Sequence, residues 1–308
     1  ADEEDVAGLG EEVGKSGGVF RGREGLLDEF GADRVIDTPL AESGMVGTGV
    51  GMAAYGLRPV VEIQFSGFLY PGFDQLVSHA ARLRTRSRGS LSVPMTLRAP
   101  YGGGIRAPEH HSESKEAFYA HEPGLTVVIP STPRDAKGLL TSSIRSPDPV
   151  VFLEPKRIYR AFREDVPDET YTISLGEAAV RREGTDISVF TYGAMARPTL
   201  DAAEALAEEG VDAEVVDLRT LSPLDRETIV ESFKKTGRAV VVHEAPKTLG
   251  MGAEVVATLQ ETALPYQEAP IERVTGYDVP FPLYDLENFY LPNAVRVSEA
   301  IERVVDYR

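Results

Sequence analysis

Two of the chain's five histidines, His110 and His111, stand side by side in the stretch YGGGIRAPEHHSES at residues 101–114. An imidazole with an ordinary pKa of about 6.5 can donate or accept a proton near neutrality, so a histidine pair in a loop is a candidate for proton transfer. Gly102, Gly103 and Gly104 permit positive φ and close approach to a ligand, while Pro108 stiffens the path to the pair. The apolar run at 95–97 reads as a buried strand, so the loop would leave a strand's carboxyl end, where open α/β sheets bind ligands. The alternative is an ordinary surface loop with solvated rings. Glu42 is the second candidate: it opens an apolar helix whose next thirteen residues carry no charge. It is either a first-turn acid favoured by the helix dipole or a functional carboxylate. A third stretch, FSGFLYPGF at 65–73, holds Phe65, Phe68, Tyr70 and Phe73 and reads as core or as a ligand platform.

Composition narrows the chemistry. There are no cysteines, which removes disulfides, thiolate metal sites and cysteine nucleophiles and fits a reducing compartment. Adjacent histidines aim their rings differently and make poor metal-ligand spacing. The 49 acidic against 32 basic residues give a formal net charge of −17, which argues against nucleic acid or an anionic membrane as partner. Such acidity suits a high-salt cytoplasm or serves solubility. No apolar run approaches the roughly 18 residues of a membrane span, and the acidic, Gly-rich start is unlike a signal peptide, so a cytoplasmic location is expected. GTGVG at 47–51 lies within an apolar helix with no strand directly before it, so it does not read as a dinucleotide fingerprint, and neither a P-loop nor a zincin pattern occurs.

The elements that must carry these groups follow from periodicity. Residues 1–22, with six glycines among acids, read as loop. A helix over 23–30, a strand at 34–36 and a helix from Glu42 to near Gly56 follow. Gly44, Gly47 and Gly51 fall on one helical face; each forfeits about 1 kcal/mol relative to Ala, which implies close packing against another backbone. PVVEIQF, LTVVIP and PVVFLE read as strands alternating with helices over 73–86 and 133–144. That order predicts a parallel sheet covered on both faces. After a mixed, charged linker at 161–174, DISVFTYG, DAEVVDL, RAVVVHE and IERVTG alternate with helices at 198–209, 225–235, near Gly252 and at 297–305. The expected division is 1–160 and 175–308, both α/β. The loop after PVVEIQF, the histidine loop and Glu42 would then converge on one sheet edge.

At this point a family resemblance becomes visible. IDTPLAESGMVGTGVGMAAYGLRPVVEIQF, FLYPGFDQ, YGGGIRAPEHHSES and VVFLEPKRIYR resemble, in order, the beta subunit of the thiamine-diphosphate-dependent decarboxylating component of 2-oxoacid dehydrogenase complexes, of the pyruvate or branched-chain type. DLRTLSPLD and VTGYDVPFP resemble the transketolase-type carboxyl-terminal domain that this family carries. The resemblance implies a transketolase-type pyrimidine-binding domain followed by a smaller α/β domain. It matches Glu42 with the glutamate that hydrogen-bonds N1′ of the cofactor pyrimidine, favouring the imino form that can accept a proton. Phe68 matches the aromatic on the pyrimidine ring, and Leu40, Ala41, Gln64, Leu69, Tyr70 and Pro71 line the same pocket by analogy. His111 matches the active-site histidine, with His110 its neighbour at the substrate.

Some implications concern the edges of the match. The start ADEEDV aligns with the family's opening motif, which places Glu4 in the cofactor pocket and leaves the usual first helix and strand unmatched. A potassium ion of some relatives would be held here by Met95, Ser143, Ile144, Ser146 and Asp148. The GDG and Asn-Asn motif that holds magnesium and the diphosphate in such enzymes is absent. The resemblance therefore implies an alpha chain that supplies that half of the site in an α2β2 assembly, a lipoyl acyltransferase core as acyl acceptor, and a small 2-oxoacid as substrate. Two alternatives stand beside it: another transketolase-like half-enzyme, and a non-catalytic α/β binding protein.

Overall fold

The computed structural model describes residues 3–307. The first part of the chain forms β1 (Val6–Gly10), α1 (Leu26–Phe30), β2 (Val35–Asp37), α2 (Glu42–Ala54), β3 (Arg58–Glu62), α3 (Phe73–Gln75) and α4 (Leu83–Arg86). β4 (Thr96–Tyr101), α5 (Glu116–Ala120), β5 (Thr126–Val128), α6 (Pro133–Arg145) and β6 (Val150–Pro155) complete it. The second part forms β7 (Ala179–Arg182), β8 (Ile187–Thr191), α7 (Ala196–Ala207), β9 (Ala213–Asp217), β10 (Thr220–Ser222) and α8 (Arg226–Thr236). After these come β11 (Ala239–Pro246), α9 (Met251–Ala263), β12 (Glu272–Gly276), α10 (Glu287–Tyr290) and α11 (Ala294–Val305). Among the described residues no helix is long and apolar enough to cross a membrane.

Strands such as VVFLEP of β6 and ISVFT of β8 are buried along their whole length, as expected of parallel strands covered on both faces. Seven strands make the first sheet in the order β10-β5-β6-β4-β3-β1-β2, all parallel except β10. Five make the second, β12-β11-β8-β9-β7, with only β7 antiparallel. The α/β class and parallel sheets expected from the alternation are present. β10 was not anticipated: this short strand from the second half of the chain pairs with β5 and completes the first sheet.

Three sequence expectations change. Residues 6–10 are a strand, β1, paired with β2 and β3, so the loop reading of 1–22 fails there and a first strand is present. Its glycines answer to packing: a Cβ on Gly8 would lie 2.3 Å from the Arg23 guanidinium, and one on Gly10 would lie 2.8 Å from the Glu62 carbonyl. The helix expected over 73–86 is broken, with a π turn over Leu76–Ala80 between α3 and α4. On α2 the tightly packed glycine is Gly49, whose Cβ would meet Val61 and Met95. Gly44, Gly47 and Gly51 meet no other backbone within 4 Å.

Buried charges join the halves. Arg181 of β7 pairs with Asp135 of α6 and with Asp217 of β9, and Arg219 also reaches Asp135 at 3.3 Å. Ser131 Oγ donates to Asp217 at 2.9 Å. Charges this deeply buried are tolerable only when paired, so the joint fixes the relative placement of the two sheets.

His243 of β11 lies fully buried under the start of α9, its ring stacked on Tyr192 at 6.0 Å. Neither of its ring nitrogens has a hydrogen-bond partner among the described residues. Burial pushes this imidazole down to about 4. The unfolded chain therefore takes up a proton below about 6.5 that the folded protein refuses, and stability is lost as pH falls from there toward 4, by up to about 3 kcal/mol from this group. Urea midpoints at pH 7 and pH 5 should differ, and the difference should shrink in His243→Phe; an identical pH slope in the variant would contradict this origin.

Candidate active site

Chain order reverses on either side of β1, which makes the carboxyl edge beside it the switch point of the first sheet. Glu11 directly follows β1, the segment leading to Glu42 follows β2, the aromatic loop follows β3, and the histidine loop follows β4. Topology alone therefore brings the three chemistry-bearing stretches to one edge.

Glu42 is the first residue of α2 and stands as an acid in its first turn, where the exposed N–H groups favour a negative charge. No side chain caps this helix, and among the described residues no hydrogen bond or ion pair engages the Glu42 carboxylate. Glu11 stands near it. Burial, then the charges of Glu12 and Glu42, hold the Glu11 carboxyl above its ordinary range. The first turn of α2 abuts the aromatic loop, since a Cβ on Gly72 would lie 3.2 Å from the Glu42 carbonyl.

Phe65 is buried and Phe68 half-buried, their rings edge-on at 5.8 Å. His111 packs between them, 4.5 Å from the Phe65 ring and 4.9 Å from the Phe68 ring, centre to centre. Its Nδ1 lies 2.8 Å from the Glu109 carbonyl oxygen. A carbonyl can only accept, so Nδ1 carries a proton, and whenever the ring is neutral Nε2 holds the lone pair. His110 is exposed, has φ of 66°, and packs against Tyr70 at 6.0 Å. The two loops interlock: Ser66 Oγ donates to the Glu113 carbonyl at 3.0 Å, and Tyr70 Oη to the Glu113 carboxylate at 3.3 Å.

Beneath the edge lies an ionic layer. Arg98 of β4 grips Glu154 of β6 with two bonds of 2.8 Å, Glu62 pairs with both Arg23 and Arg98, and Tyr159 Oη donates to Glu154 at 2.6 Å. Such a layer stiffens the strands from which the loops depart.

The remaining candidates divide. Gln64 is half-buried at the exit of β3; Leu40, Ala41, Tyr70 and Pro71 are exposed on the same edge. Leu69 is wholly buried in the core, so only its backbone can face a ligand. Glu4 does not join them: it precedes β1, at the amino-terminal edge of the sheet, whereas Glu11 occupies the carboxyl end. Sequence reasoning missed Glu11 because its strand was hidden among glycines.

The five residues singled out for a cation gather at that opposite edge, ahead of β4 and β6. The Met95 carbonyl accepts from Val150 N–H, those of Ile144 and Ser146 accept from Arg58 Nη1, and Asp148 pairs with Arg84. Ser143 Oγ donates to the Leu139 carbonyl. Guanidinium groups already supply positive charge there. A cleft of about 1570 Å³ between the two halves is walled by Tyr70, Ser112, Leu221, Met251 and Phe281; neither Glu42 nor His111 lines it.

Comparison with known proteins adds to this geometry. Residues 1–161 match the family described as transketolase, pyrimidine binding domain, and 176–297 match the transketolase C-terminal domain. The chain is 53% identical to "Pyruvate dehydrogenase E1 component subunit beta" of Bacillus subtilis (strain 168) over 305 residues, 99% of this chain and 94% of the relative. It belongs to the pyruvate dehydrogenase E1 beta-subunit family. The protein of the same name from Staphylococcus aureus (strain Mu50 / ATCC 700699) is 52% identical with the same coverage. A solved structure, "Split gene transketolase, inactive beta4 tetramer", superposes with a TM-score of 0.80 over 99% of this chain and 93% of that one. At 23% identity it shows the shared fold. For this E1 beta-family chain the pyrimidine-binding family implies thiamine diphosphate as cofactor.

The interlock of the two loops is open to test. A Cβ on Gly67 would fall 2.0 Å from the His110 carbonyl oxygen, a backbone atom that cannot swing aside. Gly67→Ala should lower stability by about 1–3 kcal/mol and shift the His111 ring resonances, read by urea denaturation and NMR. Unchanged His111 resonances would show that the loops do not interlock as described.

Proposed function

We propose that this chain is the beta subunit of a pyruvate dehydrogenase first component. It would catalyse thiamine-diphosphate-dependent decarboxylation of a 2-oxoacid, pyruvate first among them, with transfer of the acyl group to a lipoyl group. The observation that carries this reading is the Glu42 carboxylate, without a partner among the described residues, at the same sheet edge as His111 in its cage of Phe65 and Phe68, in a chain of this family. Residues 1–160 would form the pyrimidine-binding domain and 175–308 the carboxyl-terminal domain, joined at 161–174.

The residues fit the pyrimidine half of the cofactor. Glu42 offers an acceptor with no competing donor among the described residues, as a ring N–H requires. Phe68 presents an aromatic ring against His111 on the same sheet edge, with Leu40, Ala41, Gln64, Tyr70 and Pro71 and the backbone of Leu69 around it. Thiamine diphosphate, when bound, supplies the electron-accepting centre that lets a 2-oxoacid lose carbon dioxide. Glu42 would accept a hydrogen bond from the pyrimidine ring and so favour the tautomer that exchanges a proton, while burial, then the charges of Glu12 and Glu42, hold the neighbouring Glu11 carboxyl above its ordinary range. His111, with Nδ1 tied to Glu109, presents Nε2 to the substrate as a proton acceptor or, once protonated, a donor. His110 lies at the rim, where it would meet the substrate carboxylate.

The diphosphate and its magnesium have no counterpart motif in this sequence, so an alpha subunit in an α2β2 assembly supplies them, and the lipoyl acyltransferase core receives the acyl group. A potassium ion at the 143–148 segment would be structural, since it lies across the sheet from Glu42. The location would be cytoplasmic.

Co-expression with an alpha chain, followed by thiamine-dependent assays over a panel of 2-oxoacids, tests the reading. Glu42→Gln should lower turnover by about 100-fold or more with unchanged circular dichroism. Near-wild-type turnover in that variant would refute the role of Glu42, and activity on sugar phosphates in place of 2-oxoacids would favour a transketolase-like half-enzyme.

A further inference from the structure

The histidine loop is held from two sides, and the second side belongs to the carboxyl-terminal half. Gly103 N–H donates to Glu244 Oε2 at 3.2 Å, and Arg106 N–H donates to both oxygens of Glu287, at 3.3 and 3.2 Å. Glu244 lies on β11 and Glu287 opens α10; each is only 3% exposed. Contact is close enough to dictate the loop's composition. A Cβ on Gly102 would fall 2.0 Å from Glu244 Oε1, one on Gly103 2.3 Å from the Phe281 ring, and one on Gly104 2.6 Å from the Arg157 side chain. Lys156, itself buried, donates to the Gly102 carbonyl and stands within electrostatic reach of both glutamates.

The loop needs such restraint. Gly102, Gly104, Arg106 and His110 all have positive φ, of 76°, 95°, 54° and 66°. Arg106 and His110 are not glycines, and left-handed backbone in such residues persists only where the surroundings impose it. Burying two carboxylates is costly, and these two accept loop N–H groups in return. On the amino-terminal side the loop is fixed by the Glu113 carbonyl, which accepts from Gly102 N–H at 3.2 Å and from Ser66. His111 thus sits on a span anchored at one end within its own domain and along its middle by the other.

We infer that Glu244 and Glu287 are positioning residues for His111: the carboxyl-terminal domain sets where the catalytic histidine stands by gripping the backbone of residues 103–106. The kinetic consequence rests on the function proposed above, whereas the positioning of the loop does not.

Glu287→Met removes the acceptor at similar volume, and Glu287→Gln keeps one acceptor oxygen. In the full chain, hydrogen exchange at residues 102–112 should speed up about tenfold or more in the methionine variant, with the protection of β4 and β11 unchanged, and should return toward wild type in the glutamine variant. In the enzyme reconstituted with an alpha chain, kcat should fall about tenfold for Glu287→Met while KM for the 2-oxoacid moves less than about twofold, because misplacing a catalytic group slows chemistry more than it weakens binding. Should the methionine variant not fold, Glu287→Ser, which lets water in, carries the same expectations. Unchanged exchange at 102–112 would overturn the inference whatever the kinetics. Wild-type enzyme inactive on every 2-oxoacid would instead overturn the proposed function, leaving the exchange result to decide the positioning.

Discussion

The arrangement depends on a backbone passing where no side chain fits. Between Tyr101 and Ile105 the chain runs against Glu244, Phe281 and Arg157 with room for hydrogen atoms alone, so three successive glycines are a steric requirement. Everything that distinguishes the edge follows from that passage. It turns the chain out of β4, lets buried carboxylates reach the N–H groups beyond, and delivers His111 between two phenylalanine rings contributed by the loop after the neighbouring strand. A larger residue at Gly102 or Gly103 would press on Glu244 or Phe281 of the other half, against the buried ion pairs of Arg181 and Arg219 with Asp135.

Much of this was legible in the sequence, for physical reasons. Uninterrupted apolar runs such as VVFLE announce parallel strands buried on both faces, and their alternation with helices gave the α/β class. Once strands are parallel, their following loops must share an edge, so the meeting of Glu42, the aromatic loop and His111 could be anticipated without coordinates. What escaped was set by contacts distant in sequence. In β1, Gly8 and Gly10 mimic a turn signal, although the Arg23 guanidinium and the Glu62 carbonyl exclude anything larger. With β1 hidden, Glu11 has no strand end to follow, and the resemblance of ADEEDV to the family's opening motif points to Glu4 instead. Glu244 and Glu287 carry no local signature at all; only the pairing of their domain with the loop gives them a role.

The glycines of α2 illustrate the opposite case, where a sound physical expectation finds a different occupant. A helix with so many glycines must be approached closely, and Gly49 is, by Val61 and Met95. The face carrying Gly44, Gly47 and Gly51 meets no backbone of this chain within that reach. Local propensity marked the helix correctly as one that surrenders its own stability for contact, without saying which face makes that contact within the chain.

The short strand β10 ties the fate of the first sheet to the second half of the chain. A ribosome releases the amino-terminal end first, so β5 is made long before the segment that covers its outer edge. Until synthesis has passed Thr220, that edge presents unpaired N–H and C=O groups to whatever strand is nearby. A truncated chain ending in the linker would keep the edge open permanently. The nascent protein is thus most vulnerable to misassociation in the interval between its two halves, a liability that lasts as long as the ribosome takes to reach three residues.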